Sequence, residues 1–211
     1  MLDVKHLNAW WGAAQALFDV SLQVNAGELV VLQGLNGAGK STLLQAFMGI
    51  GPRIQGKVSY QNNSIEETPP HARAQAGLGY VAEDRRLFGG LTVRENLHIA
   101  ARGNARQTAL LEEQSLSLFP ALKGMLGRRA SQMSGGEQQM LAIARTLMTE
   151  PKLLLLDEPC EGIAPVLVES IRDALLALKN QGMPMLVAEQ NQVLSSRADR
   201  VITLVAGKLT L

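Results

Sequence analysis

One cysteine, Cys160, is all the chain has among 211 residues. No disulfide can form within it, and the composition fits a reducing compartment. Nor does any apolar run approach the ~18 residues that a membrane-spanning helix requires, so a role at a membrane has to come through partners. Charge of one sign is missing too: 20 Lys and Arg face 19 Asp and Glu, a net +1. That balance gives no support for bulk electrostatic binding to nucleic acid. There are no internal repeats, no low-complexity tract and no long linker. Met1-Leu2-Asp3-Val4-Lys5 opens with a strand-like pattern, which speaks against a signal peptide. What is present is an ordinary globular composition, 46% hydrophobic and 18% charged, which excludes disorder. The length suits one domain, or one domain with an inserted subdomain.

Hydrophobic periodicity gives the element order. Phe18, Val20, Leu22 and Val24 alternate with Asp19, Ser21, Gln23 and Asn25, the mark of a half-buried antiparallel strand. Residues 29–32 form a continuous apolar run, as expected of a strand covered on both faces. A glycine-rich stretch and a helix-like stretch through Met48 follow, and strand, loop, helix is an α/β order. Residues 61–70 are polar and proline-ended and read as a surface loop. The middle third reads as helical: Thr92-Val93-Arg94-Glu95 is a capping box, residues 107–118 are helix formers, and Met140, Ile143, Ala144, Leu147 and Met148 recur at helical spacing. After Pro151, residues 153–156 read as another buried strand. Pro165 opens a helix with Leu167, Ile171, Leu175 and Leu178 on one face. Residues 185–188 make a short strand, and residues 201–211 a hairpin around Ala206-Gly207. The expected division is an α/β core with a β-subdomain (1–83 and 150–211) and a helical subdomain (84–149).

Two features of this order carry phosphate chemistry. Gly34-Leu35-Asn36-Gly37-Ala38-Gly39-Lys40-Ser41-Thr42 matches G-x-x-x-x-G-K-[ST]. Its glycines let backbone N–H groups curl around phosphate oxygens, Lys40 adds a charge at the β/γ-phosphates, and the Ser41 hydroxyl suits Mg²⁺. The following helix points its positive end at the same anion. The second feature is Asp157-Glu158, closing the apolar run at a strand's C-terminal edge, which in α/β sheets faces the ligand crevice. Asp157 would hold Mg²⁺ directly or through water, and Glu158 would orient the attacking water.

Met133-Ser134-Gly135-Gly136-Glu137-Gln138-Gln139 enters a helix. Ser134 and Glu137 form a capping box, and the helix end with two bare glycine amides is also an anion site. One protein rarely needs two such sites for one nucleotide. If the second serves the ATP of another copy, the protein works as a head-to-tail pair.

With the phosphate loop, helical insert, Ser134-Gly135-Gly136 signature and acidic strand in this order, the chain resembles the ATP-binding subunit of an ABC transporter over essentially its whole length. The resemblance implies a P-loop NTPase (RecA-like) core with an antiparallel β-subdomain and an inserted helical subdomain. It also implies ATP and Mg²⁺ as cofactors, and a homodimer, or a heterodimer with a sister ATPase, that sandwiches each ATP between one subunit's loop and the other's signature. Trp11 stands where the family stacks an aromatic ring on adenine, a packed core tryptophan being the alternative, with Val20 beside the base.

Within the family the chain is most similar to importers of branched-chain amino acids and related amides, including urea. Three departures from the general pattern point there. The usual Gln after Gly79-Tyr80-Val81-Ala82 is Glu83, a metal-side position, followed by Asp84-Arg85-Arg86-Leu87-Phe88. The usual His of the switch is Gln190, in Ala188-Glu189-Gln190-Asn191. Ala164 replaces an acidic residue in Cys160-Glu161-Gly162-Ile163-Ala164-Pro165. The segment after Gln190 is one residue short of the pattern, and the chain stops soon after Lys208-Leu209. The expected protein is an ATPase at the cytoplasmic face of the bacterial inner membrane. It docks membrane permease subunits in a groove lined by residues 83–88 and serves a periplasmic solute-binding protein indirectly, with no nucleic-acid partner. Soluble non-transport ABC ATPases and exporter ATPases are the alternatives.

Overall fold

The structure is a computed structural model that describes residues 1–190 and 192–210. Asn191, in the switch segment, and Leu211, at the end of the expected hairpin, lie outside the described residues. In chain order the elements are β1 (Leu2–Trp11), β2 (Ala14–Val24), β3 (Leu29–Gln33), α1 (Lys40–Met48), β4 (Arg53–Tyr60), β5 (Asn63–Ser64), α2 (Pro70–Gln75) and β6 (Leu78–Val81). Then follow α3 (Val93–His98), α4 (Ala105–Leu118), α5 (Gly135–Leu147), β7 (Leu153–Asp157), α6 (Pro165–Asn180), β8 (Met185–Glu189), β9 (Arg200–Val205) and β10 (Lys208–Thr210).

Two sheets form. The four-stranded sheet β2-β1-β4-β5 is antiparallel throughout. The six-stranded sheet has the order β10-β9-β3-β8-β7-β6, with β9, β3, β8, β7 and β6 parallel and β10 antiparallel at the edge. Its central strands β3, β7 and β8 are apolar at every position but the last, where Gln33, Asp157 and Glu189 stand, because both faces are covered. Leu29, Val31, Leu154, Leu156, Met185 and Val187 face the helical side with α5 and α6. Val30, Leu32, Leu153, Leu155, Leu186 and Ala188 face α1 and the antiparallel sheet. One sheet thereby separates two cores, and the C-terminal ends of β3, β7, β8 and β6 come out along one edge.

Residues 61–70, expected as a loop, contain the short strand β5 and lead into α2, which starts at Pro70. β4 alternates, with Ile54, Val58 and Tyr60 turned inward and Gly56 interrupting the row, while α2, six residues long, is too short to show a helical period. α2 has a clear role nonetheless. Its Arg73 is 2% exposed, and its guanidinium donates to the carbonyls of Ala46 and Phe47, both at 2.9 Å. A cation therefore sits at the negative end of α1, where it opposes the helix dipole and satisfies terminal carbonyls. Thr92 and Ser134 cap α3 and α5, each in a capping box with Glu95 and Glu137. Between β6 and α3 the chain is not helical. Arg85 and Arg86 take φ values of 62° and 47° there, and Arg145 of α5 holds both of their carbonyls.

Candidate active site

The loop after β3 has to turn sharply and leave backbone facing outward. Gly39, at φ 107°, closes it; a Cβ there would stand 2.9 Å from Leu17 Cδ2. At Gly34 a Cβ would come within 2.5 Å of the Leu204 carbonyl oxygen. Lys40, the first residue of α1, is 3% exposed. Its Nζ donates to the carbonyls of Gly34 (2.8 Å) and Leu35 (3.1 Å) and pairs with Glu158 Oε1 at 2.8 Å.

Ser41 and Asp157 meet across the end of the sheet. Ser41 Oγ donates to Asp157 Oδ1 at 2.9 Å, and Tyr80 OH donates to Oδ2 at 3.1 Å. Burial pushes the Asp157 carboxyl up to about 6, against the two hydrogen bonds. For Glu158 burial works the same way, but hydrogen bonding with Glu161 and the Lys40 ammonium outweigh it and hold the carboxyl below its ordinary value. Glu161 is the complement: its hydrogen bond to Glu158, then burial, then the charges of Glu158 and Glu83 push it up to about 7. Glu158 itself stands at φ 47°, a left-handed backbone for a non-glycine residue.

These groups open onto a cleft of about 550 Å³, whose lining includes Lys40, Ser41, Thr42, Glu83, Glu158 and Glu161. Asn36, Gly37 and Gly39 line it as well. Ser41 and Asp157 offer only oxygen donors, side by side, with the Glu83 carboxyl at the rim. That donor set fits a small hard cation shared with a phosphate, as Mg²⁺ binds.

The other expected residues fall around this centre. Trp11 is 46% exposed and so is not a core residue; its Nε1 donates to Thr42 Oγ1 at 3.2 Å. Val20 is fully buried in the core and cannot flank a base; Ala16, four residues earlier on the same strand, lines the cleft instead. Gln190 follows β8 on the far side of the loop and shares a second pocket with Gly34, Asn36, Gly37 and Ala38. Ser134 Oγ caps α5 by accepting from the Glu137 N–H, and the Glu137 carboxylate accepts from the Ser134 N–H at 2.7 Å. Ser134, Gly135, Gly136 and Glu137 do not line the cleft of their own chain. A Cβ on Gly136 would stand 2.4 Å from Leu167 Cδ1, so close helix packing already requires that glycine.

Two residues lining the cleft, Ala16 and Glu161, and two that hold its parts, Tyr80 and Glu189, escaped sequence reading. Tyr80 and Ala16 sit inside strands whose pattern explains them without a site. Glu161 was visible only as a member of the run after the acidic strand, in which Ala164 was the residue singled out. Glu189, 1% exposed at the end of β8, accepts from the Cys160 N–H at 3.0 Å; a charged residue ending an apolar strand was its one signal.

The ABC transporter family model matches residues 17–161. The chain is 39% identical over 213 residues to the high-affinity branched-chain amino acid transport ATP-binding protein BraG of Pseudomonas aeruginosa, covering 100% of this chain and 91% of BraG. It is 34% identical over 200 residues to the lipopolysaccharide export system ATP-binding protein LptB of Haemophilus influenzae, covering 90% of this chain and 80% of LptB. Among solved structures, a dimeric bacterial ABC transporter cassette superposes with a TM-score of 0.90 at 25% identity, covering 100% of this chain and 97% of the other. This is a P-loop α/β cassette with a β-subdomain, and the chain belongs to the ABC transporter family as an ATP-hydrolysing transporter subunit.

Proposed function

We propose that this ATPase powers solute import, of branched-chain amino acids or related amides such as urea. It would work at the cytoplasmic face of a bacterial inner membrane, bound to permease subunits that receive solute from a periplasmic binding protein. The observation that carries this reading is the 39% identity to BraG over the whole chain. The likeness to LptB, an export ATPase, supports a second reading as an exporter subunit. No helix among the described residues is long and apolar enough to cross a membrane.

In the proposed mechanism Trp11 stacks on adenine and the 34–42 loop holds the phosphates, Lys40 at the β/γ-phosphates. Ser41 and Asp157 would hold Mg²⁺, with Glu83 beside them, and the bound ion would supply charge neutralisation at the phosphates. A γ-phosphate competes with Glu158 for the Lys40 ammonium. Nucleotide binding thus frees the Glu158 carboxylate to orient water, while the Gln190 amide donates to the γ-phosphate. Ser134 is exposed and Gly135 partly exposed at the start of α5, away from their own cleft, with Gly136 buried just behind; this helix end meets the ATP of a second subunit, with Glu137 behind it. Catalysis is positioning and charge neutralisation.

Uptake of labelled leucine and labelled urea in a strain lacking this gene tests the assignment. Loss of uptake of one of them, restored by the wild-type chain and not by Glu158→Gln, is expected. Unchanged uptake of both, with an envelope lipid defect, would favour the exporter.

A further inference from the structure

The ladder between β7 and β8 ends at the pair Asp157 and Ala188. The next residue, Glu158, has to aim its side chain back at Lys40 from a backbone at φ 47°. A non-glycine residue held in that region costs on the order of 1–3 kcal/mol and persists only where its surroundings over-determine it. Two hydrogen bonds beyond the ladder supply the restraint. The Glu158 N–H donates to the Ala188 carbonyl at 2.9 Å, and the Cys160 N–H donates to Glu189 Oε1 at 3.0 Å. The Glu189 main-chain carbonyl accepts from the N–H of Gly34, the first residue of the phosphate loop, at 3.4 Å. One residue thereby touches the turn that carries Glu158 and the start of the loop that carries Lys40, and it immediately precedes Gln190.

Stability alone does not account for a carboxyl in that place. Glu189 is 1% exposed, no cation pairs with it among the described residues, and its charged neighbours are the carboxyls of Glu158 and Glu161. Burial and those two charges push it up to about 7, against the hydrogen bonds with Cys160. An apolar side chain of similar length would fill the site at lower cost. What it could not do is accept the Cys160 N–H.

We propose that Glu189 is a positioning residue for hydrolysis: its side-chain oxygen holds the 158–161 turn against β8 and so sets the direction in which Glu158 points. The proposal rests on the reading of Glu158 as the residue that orients water. It does not depend on the charge of Glu189, because an amide oxygen accepts the same hydrogen bond.

The test compares Glu189→Gln, Glu189→Met and Glu158→Gln in the purified full chain by ATP hydrolysis, ATP affinity and thermal melting. Glu189→Gln is expected to keep kcat within about twofold. Glu189→Met, which fills the space without an acceptor, is expected to lose about tenfold in kcat, the scale of one hydrogen bond. Its KM should stay within about threefold and its melting temperature within about 4 °C of the parent, because relief of a buried carboxyl offsets the unpaired Cys160 N–H, which separates positioning from folding. Parental kcat in Glu189→Met beside an inactive Glu158→Gln overturns the inference alone, as does a loss confined to KM or an equal loss in Gln and Met. Parental turnover in Glu158→Gln removes Glu158 from the chemistry and the inference with it. Should Glu189→Met fail to fold, Glu189→Ser, too short to reach Cys160, takes its place with the same outcomes.

Discussion

Lys40 and Glu158 form an ion pair at 2.8 Å, with side chains only 3% and 7% exposed. The two residues come from different elements, the start of α1 and the turn after β7, so the pair fastens the phosphate loop to the acidic strand end. Lys40 also has the Gly34 and Leu35 carbonyls as partners. Replacing Glu158 by Gln therefore does not strand a buried ammonium, the situation that makes a broken buried pair costly.

The first prediction follows directly. Glu158→Gln should fold, bind ATP within about threefold of the parent affinity, and lose at least about 100-fold in turnover, the scale of a positioned general base. Steady-state hydrolysis with equilibrium ATP binding checks both halves. Strong loss of ATP binding would instead make Glu158 a structural partner of Lys40.

The second concerns adenine. Trp11 is half exposed and tethered to Thr42 beside the loop. Trp11→Ala should raise the ATP Kd by roughly five- to tenfold, the worth of an aromatic stacking contact, while Trp11→Tyr should largely keep it. Equilibrium binding of a labelled ATP analogue measures this. An unchanged Kd in Trp11→Ala would place the base elsewhere in the cleft.

How much of this arrangement was legible in the sequence differs by element. β3 and β7 were plain because both faces are buried, which leaves an unbroken apolar run before each functional turn. α5 was plain from its capping box and its spacing. β4 and α2 were less plain: β4 alternates, but Gly56 interrupts its inward row of Ile54, Val58 and Tyr60, and α2, six residues long, is too short to show a helical period. The loop and Asp157-Glu158 are local motifs and announce themselves. Tyr80, Glu161 and Glu189 act through contacts made only once β6, β7 and β8 align, so no spacing along the chain reveals them. Val20 shows the same limit in reverse: alternation placed it correctly on a strand, but the face it occupies is the core.

The third prediction is a pH dependence. The Glu189 carboxyl is raised from 4.5 to about 7 in the folded chain. The native state then binds more protons at this site than the unfolded state between those values. Its contribution to stability is full below about 4.5 and is lost as pH rises through about 7, by at most ~1.4 kcal/mol per pH unit. Glu189→Gln removes that term. Urea unfolding of both proteins across this window should show stability of the variant relative to the parent rising with pH. A constant difference would mean that Glu189 titrates normally.

The fourth concerns the switch position. Gln190 lies beside the loop residues Gly34, Asn36, Gly37 and Ala38. An amide can donate to a γ-phosphate but cannot titrate near neutrality. Gln190→Ala should slow turnover by about 100-fold with ATP affinity nearly unchanged, the effect of one transition-state donor at the low end of its range. Gln190→His should retain activity and acquire a pH dependence near about 6.5. Full turnover in Gln190→Ala would remove Gln190 from the reaction.

The last prediction joins the signature to the dimer. Ser134 stands exposed at the start of α5, outside the cleft of its own chain. If its helix end completes the site of a second subunit, ATP is buried between two chains, and binding drives association by linkage. Glu158→Gln blocks the exit by hydrolysis, so its ATP complex should accumulate as a dimer, while the same protein without nucleotide stays monomeric at equal concentration. Ser134→Phe in that background should abolish the dimer, because the ring displaces the helix end from the partner's γ-phosphate. The ATP affinity of the single subunit should survive, since Ser134 does not touch its own cleft. Size-exclusion chromatography with light scattering reads both states. An ATP-loaded Glu158→Gln protein that stays monomeric at about tens of micromolar, a range in which weak specific interfaces are populated, would count against the homodimer. The heterodimer would then be tested by mixing with a sister ATPase, where the same Ser134→Phe substitution should weaken association by exposing only one of the two ATP sites.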